Sequence, residues 1–488
     1  MLEYGSVWIG TIRFFDYTFK PIQLWPFAHD CIFFTKKQDE TVVCQGTAGK
    51  RYDMKLFGTM KTNEKNHLEI GGLDTVKLAE THGTPLYVMD QSHIEEKIRM
   101  YQGNFCSKKF ETEVIYASKA FLNLAMCRLL RDERMSLDAV SGGEIYTALK
   151  AGFPMDKVFF HGNNKTAEEL ELALEVGVGR IIVDSFNELE LLSDICEKKK
   201  MNGKILLRVN PGIEAHTHQH IQTSTLNSKF GVSIFGEEVM GLLKQAASTE
   251  RIRWMGLHCH IGSQIFEEET FLETVGAMTQ FAEKVERELG KSVLELNLGG
   301  GFGVYYADPE ECLDIPGCLK KMVGALETEI EGKGLGIQKV MIEPGRSIVA
   351  NSGITMYRVG SQKKAGGGKN YIFIDGGMAD NIRPALYQAK YEAAVANKMA
   401  DPLEKEKVSI GGKCCESGDI LIEDILLPKV ERGDLLVIGT TGAYNHSMAS
   451  NYNKALKPAV VMVKDGTARV VTKRETYEDL IRNDFVED

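Results

Sequence analysis

From about residue 110 the chain alternates short apolar, β-branched runs with longer stretches whose apolar residues recur every three or four positions, the pattern of repeated βα units around a parallel sheet. Eight such runs stand out: VIYA (114–117), MSLDAV (135–140), KVFFHG (157–162), RIIVDS (180–185), KILLRVNPG (204–212), WMGLHCH (254–260), VLELNLGG (293–300) and KVMIEPG (339–345). Helix candidates between them include GGEIYTALKAG, TAEELELALEVG and SFNELELLSDICEKKK, each with polar residues on its outer face. Eight strands alternating with helices over about 240 residues is the count of a (β/α)8 TIM barrel, an α/β fold.

After Arg346 the texture changes to Gly-rich turns and short alternating strands: YIFIDGG, KVSIGG, ILIEDILLP, DLLVIGTTGAY and AVVMVKDGTARVVT. They predict a C-terminal all-β domain, barrel or sandwich, of about 140 residues. Between Met54 and Asp90, HLEIGG and PLYVMD are strand-like; in the plainer reading they only cap the barrel.

Composition narrows the class. Of 488 residues 26% are charged and 43% apolar, a globular profile. Lys and Arg number 58 against 68 Asp and Glu, a net charge of −10 without a basic block, which argues against nucleic acid or an anionic membrane as partner. Ten cysteines with no CxxC pair read as reduced thiols in the cytoplasm, not as a disulfide scaffold or a zinc cluster. The aromatic-rich first 35 residues are interrupted by Arg13, Asp16, Lys20 and Asp30, too often for a spanning helix or a signal peptide.

In a βα barrel the chemistry gathers where strands end, and these ends are polar: Lys119, Asp138, His161, Asp184, Asn210, His258, His260, LGGGFG (298–303), and Glu343 with Arg346. Lys119 leaves an apolar strand for an apolar helix; an amine in the barrel mouth suits a Schiff base, although a lone lysine there also reads as an exposed loop residue. LGGGFG can bring backbone amides against a phosphate or simply turn tightly. It follows the seventh strand, where barrels bind phosphate, whereas a dinucleotide loop belongs in the first βα unit. Glu343 beside Arg346 is either a structural ion pair or the partner of a pyridine nitrogen. His260 is either a packed core histidine or one stacked on a flat ring. His216 and His220 have i, i+4 spacing but lie in a polar loop, and HCH at 258–260 has no third ligand nearby in sequence, so no metal site is expected.

YASKA, HCHIGSQ, LGGGFG, EPGR, RPALY, CESGD and GAYNHSMASNYN, in that order, resemble the fold-type III pyridoxal-phosphate decarboxylases with an alanine racemase-like barrel, and among them the diaminopimelate decarboxylase family. The resemblance runs from about Met54 to the C-terminus. It implies an N-terminal strand segment (54–85) joining the β domain, a pyridoxal-phosphate barrel (86–345) and a C-terminal β domain (346–488). By the same resemblance Lys119 forms the Schiff base, His260 stacks on the ring, and Glu343 faces the pyridine nitrogen. Ser263, Gly300, Gly301 and the Gly345–Arg346 turn match the phosphate-binding elements. Arg346, Arg383 and Tyr387 match residues gripping the substrate's distal carboxylate, Glu416 the one holding its distal ammonium, and Tyr444 one touching both cofactor and substrate. Cys415 matches the proton donor reaching over from the other subunit of a homodimer, chosen over Cys414 by the CESGD alignment. The implied reaction converts meso-2,6-diaminopimelate to L-lysine and CO2, the last step of lysine biosynthesis. A related ornithine or arginine decarboxylase, a racemase on the same barrel and a non-catalytic cofactor carrier are the alternatives. Residues 1–53 match none of these motifs and are expected to be an upstream-start artefact or a disordered addition, with a small docking segment as the alternative.

Overall fold

The computed structural model describes residues 54–213, 228–307, 312–400 and 404–486. The expectations for the leader 1–53 and for His216 and His220 fall outside them. The eight strands are Glu111–Ala117, Ser136–Ala139, Val158–Phe160, Arg180–Val183, Gly203–Asn210, Ile252–His258, Glu295–Asn297 and Lys339–Ile342. All neighbours are parallel, and the eighth pairs with the first from Lys339↔Glu111 to Ile342↔Val114, closing the barrel. Its interior is plugged by Ile115, Phe159, Ile182, Leu206, Met255 and Met341, so it is a packed core and not a pore.

The helices begin and end where local chemistry requires. Ser141 caps Gly142–Ala151, which stops at Gly152 in the left-handed conformation. Thr166 and Glu169 form a reciprocal capping box on Ala167–Val176, closed by left-handed Gly177. Ser185 caps Phe186–Lys199. These caps satisfy amides and carbonyls that a helix end leaves orphaned.

The second domain is built on a nine-stranded sheet centred on Gly353–Lys364, which pairs with Leu86–Asp90, Asn370–Ile374 and Leu435–Ile438. The central strand has no clean two-residue alternation: its first five residues are all buried and its last five all exposed. Leu86–Asp90, at the start of the segment expected to be barrel, instead lies in this sheet, between Gly353–Lys364 and the parallel strand Ala459–Lys464. All five of its residues are buried, and such a run carries no signal distinguishing a barrel strand from a sheet strand. A small sheet of Lys61–Thr62, Leu68–Ile70 and Leu73–Asp74 packs Leu68 and Ile70 into one core with Leu86, Val88, Ile354 and Val461. The sheet domain thus draws on both ends of the described chain and stands against the barrel's C-terminal mouth. No helix among the described residues is long and apolar enough to cross a membrane.

Candidate active site

The mouth encloses a cavity of about 880 Å³ lined by residues from both domains. Lys119 sits on the 3-10 turn Ser118–Ala120, directly after the first strand, and lines the cavity. Opposite, Tyr444 adopts φ 65°, an unusual conformation for a tyrosine. Its amide donates to the Ala120 carbonyl at 2.8 Å, and the Ser447 hydroxyl donates to the same oxygen at 3.0 Å. The second domain is thereby tied to the lysine turn.

At the floor is Glu343, at the end of the eighth strand, its side chain 6% exposed. Three neighbours surround its carboxylate: Asn297 Nδ2 donates to Oε1 at 2.8 Å, His161 Nε2 lies 3.0 Å from Oε1, and His258 Nε2 lies 3.1 Å from Oε2. Burial opposes the charge, but the two imidazoles outweigh it and hold Glu343 well below the usual carboxylate range. Burial pushes His258 down to about 4, leaving a neutral ring whose Nε2–H points at the carboxylate. Asp138 shifts the other way: burial raises it, opposed by His161 and Lys119. Neighbouring carboxyls are thus driven apart in acidity, as sites that separate acid from base require. The side chains of His161, His258 and Glu343 come close enough to hold a metal ion, yet their nitrogens already face the carboxylate oxygens.

His260 is kept neutral by burial, reinforced by Lys119 and Arg208. Its Nδ1 accepts from the Gly300 amide at 3.2 Å, joining HCHIGSQ to LGGGFG. The glycines are there for closeness: a Cβ on Gly300 would lie 2.1 Å from the Glu343 carbonyl oxygen, one on Gly301 2.6 Å from that of Gly262, and one on Gly345 2.7 Å from Ala117 Cβ. Gly301 also has φ 114°. Ser263, Gly301, Gly345 and Arg346 line the cavity; Gly300 does not.

Two arginines converge on the other wall. Arg346 donates to Ser263 Oγ at 3.0 Å and to the Tyr306 hydroxyl at 2.8 Å. The Tyr444 ring lies 4.7 Å from its guanidinium and 5.5 Å from that of Arg383, with Tyr387 5.6 Å from Arg383. Both arginines are buried, and among the described residues neither forms an ion pair with a carboxylate. Buried cations without counter-ions define an anion site.

Cys415 and Glu416 do not join this group: both are exposed and neither lines the cavity of this chain. Their loop is fixed by Asn453, which accepts from the Cys415 amide at 2.7 Å, and by Asp419, which accepts from the Cys414 amide at 2.8 Å. Asp184 and Asn210, polar strand ends in sequence, serve turns by accepting from the amides of Gly231 and Gly212. Sequence reasoning overlooks Arg208, Asn297, Tyr306 and Tyr391. Arg208 and Asn297 had a signal, being polar within or at the end of apolar strands; the tyrosines had none, since buried tyrosines near turns are ordinary core residues.

Comparison with known proteins matches this arrangement. The family model for the pyridoxal-dependent decarboxylase, pyridoxal binding domain, matches residues 91–350. A diaminopimelate decarboxylase of Bacillus subtilis is 48% identical over 432 residues, 88% of this chain and 98% of that one; one from Staphylococcus aureus is 43% identical over 427, covering 87% and 99%. The crystal structure of diaminopimelate decarboxylase from M. jannaschii in co-complex with L-lysine superposes with a TM-score of 0.82 at 35% identity, covering 88% of this chain and 98% of that one. A lysine/ornithine decarboxylase from Vibrio vulnificus shares the fold at 24% identity and a TM-score of 0.67. On motif order, barrel closure and these likenesses together, the chain belongs to the pyridoxal-dependent decarboxylases, in the diaminopimelate decarboxylase family.

Proposed function

We propose that this enzyme decarboxylates meso-2,6-diaminopimelate to L-lysine and CO2 with pyridoxal 5′-phosphate as cofactor, working in the cytoplasm as a homodimer in which each subunit supplies Cys415 and Glu416 to its partner's cavity. The observation that carries the substrate reading is the pair of buried arginines, Arg346 and Arg383, without a carboxylate partner. A substrate ending in a carboxylate is attracted there, and the purely cationic tail of ornithine or arginine is repelled.

The chain's own groups suit the cofactor. A phosphate fits the glycine cradle of Gly300, Gly301 and Gly345 with Ser263, where any Cβ would collide with neighbouring backbone or side chains. Glu343 keeps its negative charge at the floor and would hold a proton on a pyridine nitrogen. Pyridoxal phosphate, when bound, supplies an electron sink for the bond that breaks at the substrate's α-carbon. Lys119, which makes no hydrogen bond or ion pair among the described residues, presents a free amine at the rim for attachment and release. Neutral His260 offers a flat face without a competing charge. Arg346, Arg383 and Tyr387 grip the distal carboxylate and fix the substrate's register, while Glu416 from the partner balances the distal ammonium. Tyr444 closes the wall between the arginines and the lysine turn. Cys415 Sγ delivers a proton to the α-carbon after CO2 leaves.

The test is purified protein with pyridoxal phosphate given meso-diaminopimelate, ornithine and arginine in parallel, with CO2 and amine product measured. Lysine formed from meso-diaminopimelate is expected. CO2 from ornithine alone would refute the substrate reading.

A further inference from the structure

Arg383 opens a five-residue helix, Arg383–Tyr387, that ends at Gln388 in the left-handed conformation, φ 54°, with the Gln388 amide donating back to the Arg383 carbonyl. The reversal turns the chain beneath the helix and buries Tyr391 to 4% exposure. There the Tyr391 hydroxyl accepts a hydrogen bond from Arg383 Nε at 2.9 Å. The Tyr391 ring stands edge-on to Tyr306, with centroids 5.4 Å apart and planes at 83°, and Tyr306 is the residue whose hydroxyl takes Arg346 Nη1. The two arginines are therefore linked through a pair of tyrosines.

A guanidinium can meet a carboxylate bidentately by its two terminal nitrogens or by Nε with one of them. Tyr391 occupies Nε, which leaves the terminal edge. Aromatic rings of Tyr306, Tyr387 and Tyr444 surround the guanidinium carbon at 5.5 to 5.6 Å, and the hydrogen bond to Tyr391 fixes the remaining rotation about the side chain's end.

We propose that Tyr391 is a positioning residue for substrate specificity: by holding Nε of Arg383 it dictates which edge of the guanidinium receives the substrate's distal carboxylate. This rests on the diaminopimelate reading of the cavity. The consequence is selective, because only ligands that carry the distal carboxylate gain from an oriented Arg383. L-Lysine keeps the carboxylate of the end that does not react, and cadaverine has none.

The experiment uses the full chain loaded with pyridoxal phosphate and compares wild type with Tyr391→Phe. A hydrogen bond to a charged group, at the low end of its range, corresponds to about tenfold in affinity. KM for meso-diaminopimelate and the inhibition constant of L-lysine are each expected to rise about tenfold. The kcat, the inhibition constant of cadaverine and the visible spectrum of the bound cofactor should stay near wild type. In an Arg383→Lys background, which has no Nε–H to hold, Tyr391→Phe is expected to change lysine affinity less than about twofold. Wild-type lysine affinity in Tyr391→Phe, equal weakening of lysine and cadaverine, or an undiminished effect in the Arg383→Lys background overturns the inference. Wild-type enzyme that neither turns over meso-diaminopimelate nor binds lysine overturns the functional reading and takes this inference with it, so the two failures are distinguishable.

Discussion

Replacing Gly300 with alanine probes the contact on which the cavity floor depends. Gly300 does not adopt a positive φ, so the constraint is space. The new Cβ would lie 2.1 Å from the Glu343 carbonyl oxygen and 2.9 Å from its carbon, where ordinary contact begins at 3.4 Å; the deficit against the oxygen is about 1.3 Å. Both neighbours are backbone, so no side chain can swing away. Relief requires the glycine loop and the end of the eighth strand to part, stretching the Glu343 amide bond to the Gly299 carbonyl, 2.8 Å, and the Gly300 amide bond to His260, 3.2 Å. Overpacking costs about 1 to 3 kcal/mol, and each of the two weakened hydrogen bonds about 1 kcal/mol, for a total of about 3 to 5 kcal/mol. If half of this falls on cofactor binding, affinity for pyridoxal phosphate drops between about twelvefold and seventyfold. Titration of the apoenzyme with pyridoxal phosphate measures that loss, and thermal melting measures the rest as a fall of several degrees. Gly276→Ala is the control, because its Cβ would meet nothing within 4 Å inside the helix Glu268–Leu289, where alanine is favoured by about 1 kcal/mol. A Gly300→Ala protein with wild-type cofactor affinity and melting temperature would refute the argument from close approach.

Further outcomes follow from the same geometry. Lys119→Ala should abolish turnover and the visible band of bound pyridoxal phosphate with an unchanged melting temperature; a persisting band contradicts the role of Lys119. Arg383→Ala should raise KM for meso-diaminopimelate at least a hundredfold, the loss of a buried charge-assisted pair, and an unchanged KM argues against the distal-carboxylate clamp. Mixing inactive Lys119→Ala and inactive Cys415→Ala proteins should restore about a quarter of wild-type activity through hybrid dimers with one intact shared site; no recovery on mixing speaks against sharing. Acid should destabilise the fold in a defined window. His258 titrates near 4 when folded against 6.5 ordinarily, so between those values the unfolded chain binds a proton that the folded one refuses, and stability falls with falling pH by up to about 3 kcal/mol. Glu343, held well below the usual range, adds a loss in the same direction as its own protonation begins. Urea unfolding from pH 8 to 4 should show this decline, flattened in His258→Gln; identical slopes for the two proteins would contradict it.

Much of the fold is legible in sequence because the barrel writes each of its strands as a short apolar run and several of its helices with a side-chain cap, as at Ser141, Thr166 and Ser185. The polar residue at a strand's end is equally conspicuous, which is why Lys119, His260 and Glu343 stand out before any coordinates. Gly353–Lys364 is hidden because half of it is buried and half exposed, so it lacks a period, and Leu86–Asp90 because a wholly buried strand looks the same in either domain. Tyr306 and Tyr391 are hidden for another reason: their roles consist in hydrogen bonds to arginines, 40 residues away for Tyr306 and eight, across a chain reversal, for Tyr391, and no helical or strand period encodes such a partner. Cys415 and Glu416 are recognisable only through their motif, since in a single chain they are merely exposed loop residues.

The position of Leu86–Asp90 between Gly353–Lys364 and Ala459–Lys464 bears on how the protein is made. The two edges of this strand wait for partners that emerge from the ribosome about 270 and 370 residues later, on the order of tens of seconds at ordinary rates of synthesis. Until Gly353–Lys364 emerges five residues destined for burial, Leu-Tyr-Val-Met-Asp, have neither partner, and one edge stays open until Ala459–Lys464 follows, although the barrel is able to close once Lys339–Ile342 has appeared. The sheet domain is therefore the last part of the nascent chain to form, and a ribosome stalled before Ala459 releases a finished barrel with an open, adhesive strand at its N-terminal side, the kind of segment that chaperones hold and that aggregates when they do not.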